Sequence, residues 1–266
     1  MPEGHTLHRL ARLHHRRYAG EPVRVSSPQG RFTDAAMIDG QVFAKATAWG
    51  KHLFHHYAGG KGSVIVHVHL GLYGTFREVR TPMPEPVGQV RMRIVGAEYG
   101  TDLRGPTACE VIDEAQVSAI LARLGPDPLR KDADPELAWA RITKSRKAIG
   151  ALLMDQSVMA GVGNVYRAEL LFRHGIDPYR PGVDVGRTEF AAAWADLVEL
   201  MKVGVRRGRI IVIRPEDDHG PAGYRLRGPR TYVYRRAGEP CRLCSTPIRA
   251  AVMEGRNLFW CPGCQV

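Results

Sequence analysis

The chain has 266 residues, 44% of them hydrophobic, which is enough for one large or two ordinary domains with real cores and excludes a disordered chain. No stretch reaches the roughly 18 uninterrupted apolar residues of a membrane span, and the opening "MPEGHTLHRLARLHHRR" lacks the apolar core of a signal peptide, so a soluble, intracellular protein is expected. Lys and Arg number 38 against 27 Asp and Glu; the resulting net charge of +11 suits a polyanionic partner, because each neutralised phosphate releases condensed counterions, although a basic surface also serves solubility.

Behind the initiator methionine stands Pro2. With the methionine removed it carries a secondary amine, a nucleophile that forms Schiff bases with aldehyde carbons. An α-amino group titrates at roughly 7.7–8.0 and a lysine near 10.4, so a terminal amine is the better-tuned carbonyl catalyst at neutral pH. A helix is predicted from about Gly4 to Tyr18, with Leu7, Leu10, Ala11 and His14 at helical spacing and Glu3 at its positive end. Residues 20–113 read as about eight short strands split by Gly and Pro, among them "QVFAKATAWG", "SVIVHVHLG" and "VRMRIVG", the pattern of an antiparallel sandwich. In "HVH", His67 and His69 alternate at strand period and share a face. Together with His52, His55 and His56 they read as a polar or packed strand face, since no carboxylate or cysteine accompanies them. Cys109 reads as a buried structural thiol.

The segment "RLGPDPLRKDADPE" (123–136) reads as a linker. Beyond it the period becomes helical in "PELAWARIT", "RKAIGALLMDQ", "NVYRAELLFRHG" and "RTEFAAAWADLVELMKVGVRRG". In "SVMAGVG", Gly161 and Gly163 allow positive φ or close backbone approach, and Asn164 is a candidate N-cap. A glycine turn feeding a helix N-terminus suits a phosphate; a plain helix hairpin with a tight corner explains the same residues. Residues 208–241, basic and rich in Gly and Pro, with Tyr224, Tyr232 and Tyr234, read as a mobile loop able to close over something. "CRLC" (241–244) and "CPGC" (261–264), separated by 16 residues, have the spacing of a tetrahedral zinc site, and the segment between them can return as a β-hairpin.

"MPEG", Lys51 in "WGKHLFHH", "DQSVMAGVGNVYRAELLF" and the terminal "EPCRLCSTPIRAAVMEGRNLFWCPGCQ" together resemble the formamidopyrimidine-DNA glycosylase / endonuclease VIII family of base-excision repair enzymes, essentially end to end. The resemblance implies a multi-domain α+β chain: an antiparallel β-sandwich catalytic domain with an N-terminal helix (1–122), a linker (123–136), a helix-two-turn-helix domain (137–228) and a zinc-finger hairpin (229–266), with damaged DNA held in the cleft between. It implies one structural zinc on Cys241, Cys244, Cys261 and Cys264. Pro2 is then the nucleophile at C1′, Glu3 the proton shuttle to the opening sugar, and Lys51 a phosphate contact and proton donor in β-elimination. Asn164 and Arg256 match residues that clamp the phosphates around the flipped nucleotide, with Gly163, Arg123, Gly71, Leu72 and Tyr73 as further DNA contacts, Tyr166 and Arg167 flanking the same helix start, and Leu72 and Tyr73 in the wedge position. The family assigns Arg256 as proton donor in δ-elimination; a guanidinium hardly deprotonates, so holding the leaving phosphate is the better role.

The resemblance leans to the endonuclease VIII branch and oxidised pyrimidines, with two departures: Gly71 where that branch commonly has a polar side chain, and His5 where a proline is usual. An oxidised-purine glycosylase, an inactive descendant that senses damage, and a non-catalytic zinc-ribbon DNA-binding protein are the alternatives. The expected protein is a monomer without membrane contact, cytoplasmic and nucleoid-associated on DNA, with duplex against single-stranded or bubble DNA left open.

Overall fold

Residues 2–59, 62–218 and 231–266 are described by the structure, a computed structural model. In chain order they form α1 (Gly4–Tyr18), β1 (Arg24–Ser26), α2 (Ala35–Ile38), β2 (Val42–Trp49), β3 (His52–Gly59), β4 (Gly62–His69), β5 (Thr75–Arg80), β6 (Met92–Val95), β7 (Tyr99–Arg104), β8 (Ala108–Ile112) and α3 (Glu114–Ala122) in a first unit, residues 1–123. The second unit, residues 124–266, holds α4 (Pro135–Ile142), α5 (Ile149–Leu152), α6 (Asn164–Arg173), α7 (Arg187–Arg207), β9 (Arg249–Met253) and β10 (Arg256–Trp260). No described helix is long and apolar enough to cross a membrane.

Strand alternation builds the first unit. Two four-stranded antiparallel sheets, ordered β2-β3-β4-β8 and β1-β6-β7-β5, form the expected sandwich. Along β3, Leu53, His55 and Tyr57 are buried. Leu53 and Tyr57 join Val66 and Val68 of β4 in one core with Val25, Ile94 and Leu103 of the other sheet. Helix α1 has the predicted span; it lays Leu7, Ala11, His14 and Tyr18, one helical stripe, into its buried side. Arg17 pins its last turn through a two-pronged bond to Glu78 and a guanidinium 3.5 Å from the centre of the Tyr99 ring. Cys109 is buried as expected, and burial pushes its thiol up to about 12.

Three elements depart from the sequence reading. Helix α3, unanticipated, starts at a capping box in which Asp113 accepts from the Gln116 N–H and Gln116 returns the bond; its Val117, Ile120 and Leu121 then cover Phe54, Ile65 and Ile112 on the outer sheet face. "RKAIGALLMDQ" keeps only the short α5. Ala148 is held extended in a bridge to Pro181, and the Asp155 carboxylate takes the Ser157 N–H to begin a new turn. The supposed linker is packed at its start: Gly125 to Pro128 are buried, with the Gly125 N–H on the Gln156 carbonyl and the Ala160 N–H on that of Pro126.

The second unit is a helical core of α4, α6 and α7, including Ile142, Tyr166, Leu170 and Leu197, followed by the β9–β10 hairpin. Of the stretch read as a mobile loop, residues 219–230, with Tyr224, lie outside the described residues. The part after them is firmly held, because the fully buried Glu169 of α6 accepts the N–H groups of Tyr232, Val233 and Tyr234 at 2.7, 3.0 and 2.7 Å.

Candidate functional site

Glu3, in extended backbone, follows Pro2 into α1, and its carbonyl accepts the Thr6 N–H at 2.8 Å to open the helix. The Glu3 side chain is 0% exposed at the helix end where unbonded N–H groups concentrate positive potential, the position that best tolerates a buried carboxylate. Pro2 is half-buried directly ahead of it. His5, the departure from the family's proline, leaves the helix start at Gly4 unchanged and is kept neutral, pulled down to about 4 chiefly by burial.

Lys51 occupies the two-residue turn of the β2–β3 hairpin, flanked by the Trp49–His52 pair. Gly50 takes φ +56°, the left-handed value such a turn needs at its first central position. On the outer face of this sheet His52 pairs with His69 and Phe54 with His67 on β4, while His67 pairs with Glu110 on β8. His52 Nδ1 lies 2.9 Å from His67 Nε2, and His67 Nδ1 lies 2.9 Å from Glu110 Oε1. The reading of these histidines as a face without a carboxylate is thus corrected: Glu110 arrives from a strand 43 residues away. His55 faces the other way, into the core, on a 2.9 Å bond to His14. Burial draws His52 down to about 3, and the charges of His67, His69, Arg123 and Lys51 push the same way. Arg123, at the C-cap of α3, therefore belongs to the same end of the sheet as Lys51.

Between β4 and β5 the chain displays Leu72 and Tyr73, the tyrosine 84% exposed. Gly71 has φ +64°, gives its N–H to His69 Nδ1 at 3.2 Å, and has no room for a side chain: a Cβ would lie 1.8 Å from the Thr107 hydroxyl oxygen. The polar residue common here in the family branch would sit at a left-handed φ and would require Thr107 to move.

In the second unit the predicted N-cap is corrected. Gly163 is the N-cap of α6, in extended backbone (φ −125°), and Asn164 is the first helical residue; of the two glycines only Gly161 takes positive φ, +90°. Freed from capping, the Asn164 amide gives its N–H to the Asn257 carbonyl at 2.8 Å and accepts from Arg167. Arg167, 0% exposed, also reaches the Asn257 and Gly150 carbonyls, at 3.5 and 3.4 Å. Asn164 is thereby tied to the residue that follows Arg256 at the start of β10. The exposed Arg256 stands beside a tight turn in which Glu254 and Gly255 have φ +51° and +65°. Sequence reasoning saw Arg167 only as flanking the helix; its structural role depends on a carbonyl 90 residues away.

Cys241, Cys244, Cys261 and Cys264 place their sulfurs within 4.8 Å of one another, with contacts of 3.8, 3.4 and 3.3 Å. A tetrahedron of thiolates about 2.3 Å from a zinc ion has edges of roughly 3.8 Å, so the cluster fits a structural zinc with no position left open. The Thr246 hydroxyl, 3.3 Å from Cys244 Sγ, draws that thiol down to about 6. Gln265 anchors the second knuckle, accepting the Cys261 N–H and donating to the Ile176 carbonyl, each at 2.9 Å.

A sandwich bearing the chain start, a helical unit and a four-cysteine hairpin define a zinc-finger protein of the helix-two-turn-helix class. The chain matches the Formamidopyrimidine-DNA glycosylase N-terminal domain over residues 1–108, the H2TH domain over 124–215 and the zinc finger found in FPG and IleRS over 238–266. It is 70% identical over 270 residues to Endonuclease 8 1 of Mycobacterium tuberculosis and 28% identical over 275 residues to Endonuclease 8 of Escherichia coli, covering 100% of each. Among solved structures it resembles the MutM (Fpg) protein of Thermus thermophilus, with 27% identity, TM-score 0.78 and 99% of this chain and 98% of that one covered. The fold is shared with the Lactococcus lactis Fpg in complex with abasic-site DNA, at TM-score 0.79 and 19% identity over 99% of both chains. The chain belongs to the formamidopyrimidine-DNA glycosylase / endonuclease VIII family of base-excision repair DNA glycosylases.

Proposed function

We propose that this chain is a bifunctional DNA glycosylase and abasic-site lyase that removes oxidised bases, pyrimidines foremost, with Pro2 as nucleophile. The observation that carries the reading is Pro2 standing directly ahead of a fully buried Glu3 at the N-terminus of α1. With Met1 removed, Pro2 offers a secondary amine to C1′ of a nucleotide rotated out of the stack, at an unstacking cost of a few kcal/mol that damage reduces. The new N–C1′ bond displaces the base as the Glu3 carboxylate takes the amine proton, and the base leaves as an anion that water protonates. Protonated Glu3 gives its proton to the ring oxygen as the C1′–O4′ bond opens, and the nitrogen lone pair completes an iminium. The iminium withdraws electrons, so C2′ loses a proton and the C3′–O bond breaks; a second elimination releases the phosphate at C5′.

The proposed phosphate contacts are Lys51, Arg123, Gly163, Asn164 and Arg256, the arginines through their planar fork. The exposed Leu72 and Tyr73 fill the gap left by the flipped base. The pyrimidine preference is supported by the lean of the resemblance to the endonuclease VIII branch, and the monomeric, nucleoid-bound state expected from the sequence belongs to the same reading. Its test uses duplexes with one oxidised pyrimidine, one oxidised purine or one abasic site. Glu3→Gln is expected to slow base removal by on the order of a hundredfold while still cutting the abasic site, whose sugar opens to the aldehyde without help from Glu3. Equal loss on all three would contradict the role of Glu3, and faster removal of the purine would replace the pyrimidine assignment.

A further inference from the structure

We infer that Glu110, His67 and His52 form a relay that fixes the tautomer of His52 and so presents its Nε2 as a hydrogen-bond acceptor at the hairpin end that carries Lys51, making the three positioning residues for the abasic-site lyase step. The inference rests on the role proposed above for Lys51. A carboxylate only accepts, so at the 2.9 Å contact His67 Nδ1 carries the hydrogen. When His67 carries this one hydrogen its other nitrogen has only a lone pair, and the 2.9 Å contact to His52 then places a hydrogen on His52 Nδ1. His52 Nε2 is left as an acceptor.

The neighbouring ring is set the opposite way. Gly71 donates to His69 Nδ1, which places the hydrogen of a neutral His69 on Nε2. The two rings, cross-strand partners with centres 5.1 Å apart, thus offer an acceptor and a donor side by side at the hairpin end that carries Lys51. The charged and titratable groups facing His52 are Lys51, Arg123, His67 and His69, and the Lys51 charge acts on both half-buried rings. Among these groups a His52 that donated from Nε2 would oppose the Lys51 ammonium; one that accepts draws it in. Phe54, stacked on His67 with ring centres 5.3 Å apart, holds the middle of the relay in place. Glu110 is half-exposed, so its removal leaves the core untouched.

The experiment pairs ring spectra with kinetics on the full chain. Long-range proton–nitrogen spectra of labelled histidines should show His52 as the Nδ1–H tautomer. In Glu110→Ala that signature should give way to a mixture, and single-turnover cleavage of a pre-formed abasic duplex should fall by about tenfold, the usual consequence of losing a hydrogen bond to a charged group, with DNA affinity unchanged. Glu110→Gln, whose amide oxygen still accepts from His67, should keep both the tautomer and the rate. A His52 tautomer that survives Glu110→Ala, or a cleavage rate that does, overturns the relay. Wild-type protein inert on abasic DNA while its spectrum shows the assigned tautomer overturns instead the lyase reading and the use given to the relay, and the spectrum separates the two failures.

Discussion

Gly71 and Arg167 show two ways in which one residue is fixed by distant chain. At Gly71 the left-handed φ of +64° and the Thr107 hydroxyl both oppose a side chain. Gly71→Ala should therefore destabilise the protein by roughly 1–3 kcal/mol and lower Tm, and Thr107→Gly in the same chain should restore the steric part only. A Tm unchanged by Gly71→Ala would contradict the strained turn. The four-cysteine cluster was legible because its chemistry lies in a regular spacing. The Glu110 partner of His67 and the Asn257 partner of Arg167 were not, since each depends on strand register or on packing between segments far apart in sequence.

At the scale of elements, α1 was legible because one face repeats at helical period, whereas α3 escaped although Asp113 and Gln116 spell its capping box. The contact between α1 and β3 makes stability depend on pH. His14 and His55 bond each other in the core at 2.9 Å; their outer nitrogens, His14 Nε2 and His55 Nδ1, have no hydrogen-bond partner. Burial draws His14 down to about 3 and His55 well below its ordinary value. The unfolded chain takes up protons near pH 6.5 that the folded core refuses, so this stability is complete above 6.5 and falls by about 1.4 kcal/mol per pH unit and histidine on acidification toward the folded value. Tm should decline steadily from pH 7 to 5, and a flat profile would contradict the buried neutral pair. The zinc hairpin makes a second prediction. Its Phe259 and Cys261 share a cluster with Val165 and Phe172 of α6, so chelation should melt the hairpin ahead of the sandwich; verified metal loss without a change in melting would contradict a structural role.

For the whole molecule, the charge of +11 predicts salt-dependent binding to DNA, with Arg256 as one discrete contact. Arg256→Ala should weaken binding to a lesion duplex at low salt and lessen the slope of log K against log salt by about one; equal affinity and slope would remove Arg256 from the phosphate clamp. The order sandwich, helices, zinc hairpin was legible from the change of period and the cysteine spacing, while the packed start of the presumed linker was not, because its burial comes from segments 30 or so residues on, at Gln156 and Ala160.

The central claim is that Pro2 is the nucleophile. Borohydride trapping of the untagged protein on an abasic duplex, followed by mass mapping, tests it most directly. The account predicts one covalent adduct, at Pro2, absent in Pro2→Ala. No adduct, with methionine removal confirmed and DNA binding intact, or an adduct mapped to a lysine, would contradict it.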